Sequence, residues 1–378
     1  MGKGMRIRAA VAEKPVNGHP SNTVTIQELE LDDSLREKEV LVRVVACAVC
    51  HADLAARDGH LPFPLPGVLG HEGTGVIERV GSKVDRVKAG DHVIMTFPND
   101  GTCDNCLDGK PRWCKHGGEL MWSGRRYDGS ATALSRNGEP VSGHLFQQSA
   151  FATHVIATEM NVVPVSKEVA LDQFVLGCGI MTGAGGVLNS LKPAPGSSIV
   201  IFGAGGVGSA AIMAAKIAGC KTIIAVEPHK NRREIALAIG ATDALDSAEP
   251  HLVERIKKLT GDGANFALIC VGNAEAVNLG VEALRIGGVC GVIGDPGIGA
   301  VGSFSIPGLV GGSKTIRGIN GGDSIAPTFL PTLIEAHGRG LLPLEKVTKR
   351  YSLDDLNSAF LDAEEGRVIK PVIVIGSV

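Results

Sequence analysis

The sequence lacks a surplus of either charge. Across 378 residues, 37 Lys and Arg stand against 40 Asp and Glu, a net charge of −3, and no basic block stands out. That balance argues against a nucleic acid or an anionic membrane as partner. Long apolar runs are missing too. No window of about 18 residues is free of Gly, Pro and charge, so no transmembrane helix is expected. The opening MGKGMRIRAAVAEKP has no apolar core of a secretory signal, and residues 1–4 read as a short N-terminal extension. Internal repeats are absent. The 51 glycines are scattered among apolar runs, not gathered into low-complexity tracts. Nor do the nine cysteines read as a disulfide framework. Several have the spacing of metal ligands, which points to a reducing, cytoplasmic compartment. The length is enough for two domains with ample core.

What is present is organised around residues 197–232, SSIVIFGAGGVGSAAIMAAKIAGCKTIIAVEPHKNR. Ser198–Phe202 is a short β-branched apolar run, the pattern of a strand buried on both faces. Gly203, Gly205 and Gly208 follow as G-x-G-x-x-G, with Gly206 and Val207 inside the same loop. A small-residue helical pattern covers 209–218, Gly219 ends it, and Thr222–Val226 is a second apolar strand closing on Glu227. Strand, glycine turn, helix and strand make one βαβ unit of the dinucleotide-binding kind. Gly203 makes the tight turn, Gly205 lets the backbone approach a pyrophosphate, and Gly208 lets helix and strand pack closely. The helix N-terminus offers free N–H groups to the phosphates. Glu227, 19 residues beyond Gly208, is placed to accept from the adenosine ribose hydroxyls. Its charge would repel a 2′-phosphate, so NAD is expected over NADP.

Residues 5–155 read as an irregular, antiparallel β domain, with strand patterns at 6–12, 23–30, 40–46, 73–80 and 92–96 and a proline-marked loop at 62–66. From about Gly183 apolar helices and strands alternate, through 266–271 and 289–293, which indicates an α/β doubly wound parallel sheet covered on both faces. Helical patterns at 328–338 and 353–365 and a final strand, PVIVIGSV, are expected to return to the first domain.

Cys and His residues stand in distinctive surroundings. Cys50 lies in Cys50-His51-Ala52-Asp53. His71 opens Gly70-His71-Glu72-Gly73-Thr74-Gly75, with Gly81 and Val84 beyond. Cys178 lies in Gly177-Cys178-Gly179. The G-H-E-x-x-G-x5-G-x2-V pattern resembles the signature of the zinc-dependent medium-chain alcohol dehydrogenases, and the resemblance covers essentially the whole chain. It implies a β-rich GroES-like catalytic domain at 1–179 and 327–378, and a Rossmann NAD-binding domain at 180–326. It also implies a catalytic zinc on Cys50, His71 and Cys178 with a fourth position open. There the metal acts as a Lewis acid, so that an alcohol can surrender hydride to the nicotinamide or a carbonyl can be polarised for the reverse. Asp53 is expected to accept from the His71 ring N–H, and Glu72 to sit behind the metal as an exchanging ligand.

A second set, Asp100-x2-Cys103-x2-Cys106-x7-Cys114, has the spacing of the family's structural zinc lobe, with Asp100 where a cysteine is usual. Zinc accepts a carboxylate oxygen, so a second structural zinc is expected. A water in the fourth place, a weakened site or an empty one are the alternatives. Cys47, Cys220, Cys270 and Cys290 lie in apolar runs and read as packing residues. By resemblance, His51 and Lys370 contact the pyrophosphate, Thr182 lies near the nicotinamide, Arg232 lies beside the ribose, and Val271 and Val292 line the nicotinamide pocket. Thr96 and Phe97 are candidates for the substrate wall.

One departure bears on chemistry. The family usually has Ser or Thr two residues after the first zinc cysteine, and often a His further along, to carry the alcohol proton away. Here Ala52 and Ala55 stand there. Either a water chain serves, or the enzyme is an NAD(P)H-dependent reductase of a conjugated carbonyl or iminium that needs less help with its proton. Three stretches (143–153, 176–185 and the cofactor loop) look closest to the aryl-alcohol, benzyl-alcohol-type members. That implies primary aromatic or allylic alcohols and their aldehydes as substrates, and a homodimer, or a tetramer, paired through the cofactor domains. A non-enzymatic dinucleotide sensor is disfavoured by the intact Cys50, His71 and Cys178.

Overall fold

The computed structural model describes residues 4–15, 22–297 and 299–378; positions 1–3 of the expected extension lie outside them. The chain divides into two units, Met1–Cys178 with Ile325–Pro331 and Thr348–Val378, and Gly179–Ser324 with Thr332–Val347.

In the first unit, Met5–Ala12 and Val24–Leu31 pair antiparallel from Met5↔Leu31 to Ala12↔Val24 and extend into a five-stranded sheet. A seven-stranded sheet is built on Glu39–Ala48. That strand reads EVLVRVVACA and is buried except at Arg43, because it is paired on both edges. Gly73–Val80 lies on one edge, and His154–Thr158 and then Lys370–Val374 lie on the other. Val40, Val42, Val44, Ile77, Val93, Met95, Phe151 and Ile156 belong to one buried cluster, each such side chain contributing about 1.5–3 kcal/mol by leaving water. The closing strand Lys370–Val374 runs parallel to Thr348–Ser352, so the tail does return to this unit.

The second unit is a six-stranded, wholly parallel sheet in the order Asp243–Leu245, Thr222–Val226, Ser198–Phe202, Ala264–Ile269, Leu284–Val292, Thr315–Gly318. This is the doubly wound dinucleotide-binding order, with its switch point beside Ser198–Phe202. Every residue of that strand is buried, as a run covered by helices on both faces must be. The helix after the glycine turn is Gly206–Ile217, three residues earlier than the small-residue pattern indicates. Gly206, Val207 and Gly208 therefore form its first turn, where N–H groups are free.

The sequence reading assigns 327–378 to the first domain, but Thr332–Val347 groups with the second unit. Leu333, Leu342 and Leu344 are buried, and Lys346 Nζ donates to Ala238 O at the end of the helix Lys230–Ile239 (3.0 Å). Among the described residues, no helix is long and apolar enough to cross a membrane.

Candidate active site and metal centres

Cys50 follows the strand Glu39–Ala48 and sits in extended backbone at the head of the short helix His51–Arg57. Asp53, wholly buried in the first turn of that helix, is the hub of the site. Its Oδ2 accepts from Cys50 N (3.0 Å), and its Oδ1 accepts from Gly70 N (2.9 Å) and lies 2.9 Å from His71 Nδ1. A carboxylate at that distance takes the ring N–H, so the proton sits on Nδ1 and Nε2 is left as the donor atom. His71 Nε2 is buried without a hydrogen-bond partner. It lies with the Cys50 and Cys178 thiols and the Glu72 carboxylate, all within 4.8 Å of one another. An orphaned buried imidazole nitrogen facing two thiols is costly by itself and is satisfied by a zinc ion. Cys178 is held by the residue before it. Gly177 rests on the backbone of Met95, where a Cβ would come within 1.9 Å of the carbonyl oxygen, and its own carbonyl accepts from Thr96 Oγ1 (2.7 Å).

The charges around this centre are coupled. The Cys178 thiol beside it draws the Cys50 thiol well below its ordinary value, while the same contact and burial push Cys178 up. Burial pushes the Glu72 carboxyl up to about 7, against the pull of the Lys370 ammonium. Lys370 has a partner that its place in the sequence does not reveal. Expected at a pyrophosphate, it is 2% exposed, and its Nζ lies 2.5 Å from Glu72 Oε1. The strand Lys370–Val374, paired with Glu39–Ala48, brings it there. Its charge is committed to the carboxylate behind the donor set. His51 is exposed at the start of its helix.

The ring of His71 is covered by Phe146, stacked at 4.4 Å and 26°. Trp122 meets Phe146 edge-on at 5.0 Å, and Phe97 lies 5.5 Å from it. The Arg112 guanidinium sits 3.6 Å over Phe97. Phe97 is thus part of an aromatic wall beside the donor set. Thr96 is not, since it is buried and its hydroxyl is spent on Gly177. Phe146 and Trp122 escape a sequence reading because nothing in their local pattern separates a pocket aromatic from a core one.

The second set also comes together, with one donor atom each from Asp100, Cys103, Cys106 and Cys114 within 4.8 Å of one another. Asp100 Oδ1 accepts from Thr102 N (2.8 Å) and Cys103 N (2.9 Å), whereas Oδ2 is buried and makes no hydrogen bond. Burial disfavours the charge of Asp100, but the Cys103 and Thr102 amides hold its carboxyl well below the usual carboxylate range. Lys115 N donates to Cys103 Sγ (3.5 Å) and Asp100 N to Cys114 Sγ (3.4 Å). Amides aimed at sulfur, three thiols and a free carboxylate oxygen fit a closed tetrahedral zinc site.

In the second unit the glycine turn has the expected form. Gly203 has φ +91°, a region glycine alone enters freely. A Cβ on Gly208 would stand 1.8 Å from Gly203 O, while one on Gly205 would meet nothing within 4 Å. Glu227, 3% exposed, accepts from Ala204 N (2.8 Å) and His229 N (3.1 Å). It therefore ties the turn to the end of the strand Thr222–Val226. A cavity of about 310 Å³ opens between Gly203, Val226, Pro228, Val271 and Asn273. Thr182, on the helix Gly179–Gly185, is buried with Oγ1 unpartnered, and Val292 ends its strand half-buried. Arg232 lies half-buried on the helix Lys230–Ile239. Its neighbour Arg233 clasps the Glu227 and Pro228 carbonyls (both 2.7 Å) and pairs with Asp246 (2.9 Å). Adjacent arginines cannot be told apart by pattern alone.

A thiol–imidazole metal centre and a dinucleotide fold in one chain are the marks of a metal-dependent dehydrogenase. Residues 36–167 match the family model described as alcohol dehydrogenase GroES-like domain, and 206–336 the one described as zinc-binding dehydrogenase. The chain is 40% identical over 338 residues to geraniol dehydrogenase of Castellaniella defragrans, covering 89% of this chain and 90% of that protein. Among solved structures it is similar to an alcohol dehydrogenase zinc-binding domain protein from Burkholderia ambifaria (TM-score 0.94, 42% identity, 99% of this chain and 100% of that one). It is also similar to benzyl alcohol dehydrogenase from Acinetobacter calcoaceticus (TM-score 0.92, 39% identity, 98% and 100%). The chain belongs to the zinc-dependent medium-chain alcohol dehydrogenase family and is a zinc-type alcohol oxidoreductase.

Proposed function

We propose that this protein is an NAD-dependent dehydrogenase that interconverts a primary aromatic or allylic alcohol and its aldehyde, with about two zincs per chain. The observation that carries the reading is the donor set of Cys50, His71 and Cys178 with the buried, unpartnered His71 Nε2 and the aromatic wall of Phe146, Phe97 and Trp122 beside it. Zinc held there supplies Lewis acidity, lowering the pKa of an alcohol or polarising a carbonyl. Asp53 keeps the His71 proton on Nδ1 so that Nε2 stays a ligand. Glu72 and Lys370 form a buried pair behind the set, with Glu72 able to exchange onto the metal. Flat aromatic side chains suit a flat, conjugated substrate. The names of two similar proteins, a benzyl alcohol and a geraniol dehydrogenase, are of that kind.

The Asp100, Cys103, Cys106 and Cys114 set takes the second, structural zinc. NAD is preferred because the Glu227 carboxylate, anchored by two amides, would meet a 2′-phosphate with like charge. Thr182 supplies a hydroxyl toward the nicotinamide, and Val271 and Val292 apolar surface. Two copies pair through the cofactor unit. The strand Thr315–Gly318 ends its sheet; Ile286 (74% exposed) lies on the neighbouring strand Leu284–Val292, and Ile306 (60%) and Val310 (72%) lie on the helix Ile306–Gly311 that precedes Thr315–Gly318.

Ala52 favours a second reading, a reductase of a conjugated carbonyl or iminium. One paired assay separates the two. NADH absorbance is followed with benzyl and cinnamyl alcohols plus NAD from mildly acidic to alkaline pH, then with the aldehydes plus NADH, on protein whose zinc has been counted. Alcohol oxidation is the expected result. Aldehyde reduction without oxidation at any pH selects the reductase, and no turnover by zinc-loaded protein refutes the aromatic and allylic assignment.

A further inference from the structure

We propose that Gln148 is a positioning residue for the Cys50–His71–Cys178 centre, joining the backbones that carry His71 and Cys178. The inference rests on the zinc reading of that centre and adds a residue that acts through its ligands.

Gln148 is 1% exposed. Its Oε1 accepts from Gly73 N (3.0 Å), and its Nε2 donates to His71 O (2.9 Å) and Thr96 O (3.3 Å). One amide thereby grips the peptide on both sides of His71–Glu72 and reaches the strand His92–Met95 at its end. Thr96 continues the connection through its hydroxyl to Gly177 O (2.7 Å), next to Cys178. Two ligands 107 residues apart in sequence are thus linked by one side chain and one hydroxyl. Asp53 serves Cys50 and His71 from the other direction, through Cys50 N, Gly70 N and His71 Nδ1. Between them, Asp53 and Gln148 satisfy the backbone on each side of the ligand, and Gln148 alone reaches toward Cys178.

The loop that presents Gln148 is strained. His144, Phe146, Gln147 and Ser149 all have positive φ (63°, 52°, 55° and 55°), a conformation that disfavours side chains and persists only where neighbours over-determine it. Here they do. Asn161 Nδ2 holds Phe146 O and Gln147 O (both 3.1 Å), Ser149 Oγ donates to Val68 O (2.6 Å), and Ala150 N donates to Gly70 O (2.7 Å). The result places Phe146 on the His71 ring and the Gln148 amide on the His71 peptide, fixing the ligand's face and its backbone from one turn of chain.

The test is zinc release from full-length, zinc-loaded protein into a chromophoric chelator, with Cys178→Ser identifying the phase that belongs to this centre. Gln148→Met keeps length and removes every polar contact. Release from this centre should become roughly 10–100-fold faster, the usual effect of losing a partner behind a metal ligand, while release from the Asp100–Cys114 lobe is unchanged. With cobalt in place of zinc, its d–d spectrum should shift. Gln147→Met is the control. It removes an amide of equal size from the same strained loop, one that binds Leu120 O and Arg125 O instead, and should leave this phase and this spectrum alone. Equal acceleration in both variants, or acceleration of both zinc phases in Gln148→Met, would reduce Gln148 to a general support of the fold and overturn the proposal, as would unchanged release. Should Gln148→Met not fold, Thr96→Val cuts the far end of the link at constant volume, and unchanged release there overturns it equally. If Cys178→Ser removes no zinc phase, the zinc reading itself fails.

Discussion

Asp100 is the sharpest point at which this chain's chemistry can be weighed. Its two carboxylate oxygens have separate tasks. Oδ1 takes the Thr102 and Cys103 amides, while Oδ2 makes no hydrogen bond, with His116 Nε2 3.7 Å away. Asp100→Asn divides these tasks. The amide oxygen can keep the two backbone contacts, so the turn persists, but an NH₂ replaces the oxygen that faces the three thiols and cannot ligate. Structural zinc binding is worth about 10–16 kcal/mol over four ligands, so one ligand is worth about 2.5–4 kcal/mol, or roughly 10²–10³-fold in affinity. Competition with a chelator of known affinity, read as zinc per chain, should show that loss for the lobe zinc alone. Asp100→Cys offers a fourth thiolate but no acceptor for the two amides. Losing those bonds costs about 1 kcal/mol each, so its gain in zinc affinity should be partly offset by a lower melting temperature. An Asn variant that holds its second zinc as tightly as the parent would refute Asp100 as a ligand and leave a water in the fourth place.

Three further outcomes are expected. Ala52→Ser restores a hydroxyl at the head of the helix His51–Arg57 and should raise alcohol oxidation at neutral pH by roughly tenfold or more, within the usual range for proton-transfer assistance; stopped-flow NADH formation measures it, and no gain means water already serves. Glu227→Ala removes the acceptor of the Ala204 and His229 amides and should raise KM for NAD at least tenfold while narrowing the preference over NADP, with a stability loss of about 1–3 kcal/mol from the buried donors left unpaired in urea unfolding. Ile306→Glu combined with Val310→Lys should convert a dimer to monomer in sedimentation velocity; an unchanged sedimentation coefficient in an otherwise dimeric protein moves the interface elsewhere.

Much of this was legible in the residues. The βαβ unit could be read because each of its glycines answers a steric demand confined to a few neighbours, and the structure repeats those demands at Gly203 and Gly208. Cys50, His71 and Cys178 are far apart in the sequence, so they could be named only through the resemblance of their surroundings to a known family, as could the Asp100–Cys114 set through its lobe spacing. What stayed hidden depends on pairings between distant strands. Lys370 looks like a surface cation until Val372↔Ala48 and its neighbours pair and set it against Glu72. Gln148 looks like one of two adjacent glutamines until the backbone around it turns left-handed and separates their targets. The helix Gly206–Ile217 begins before its small-residue pattern because that pattern marks the packed face, not the first turn that is left free.

The pairing of Lys370–Val374 with Glu39–Ala48 also bears on how the molecule is made. The central strand of the first unit leaves the ribosome early, yet its edge is completed only after the whole second unit has been translated. Until then the Ala46–Ala48 end of that edge is unpaired, and Glu72 lacks its ammonium. Contacts spanning such separations form slowly, and exposed strand edges in partly folded chains are prone to aggregate. The parallel-sheet unit is encoded without interruption through Ser324 and can begin to fold first. Nascent chains arrested before residue 370 should therefore show a dinucleotide-binding unit next to a protease-sensitive first unit.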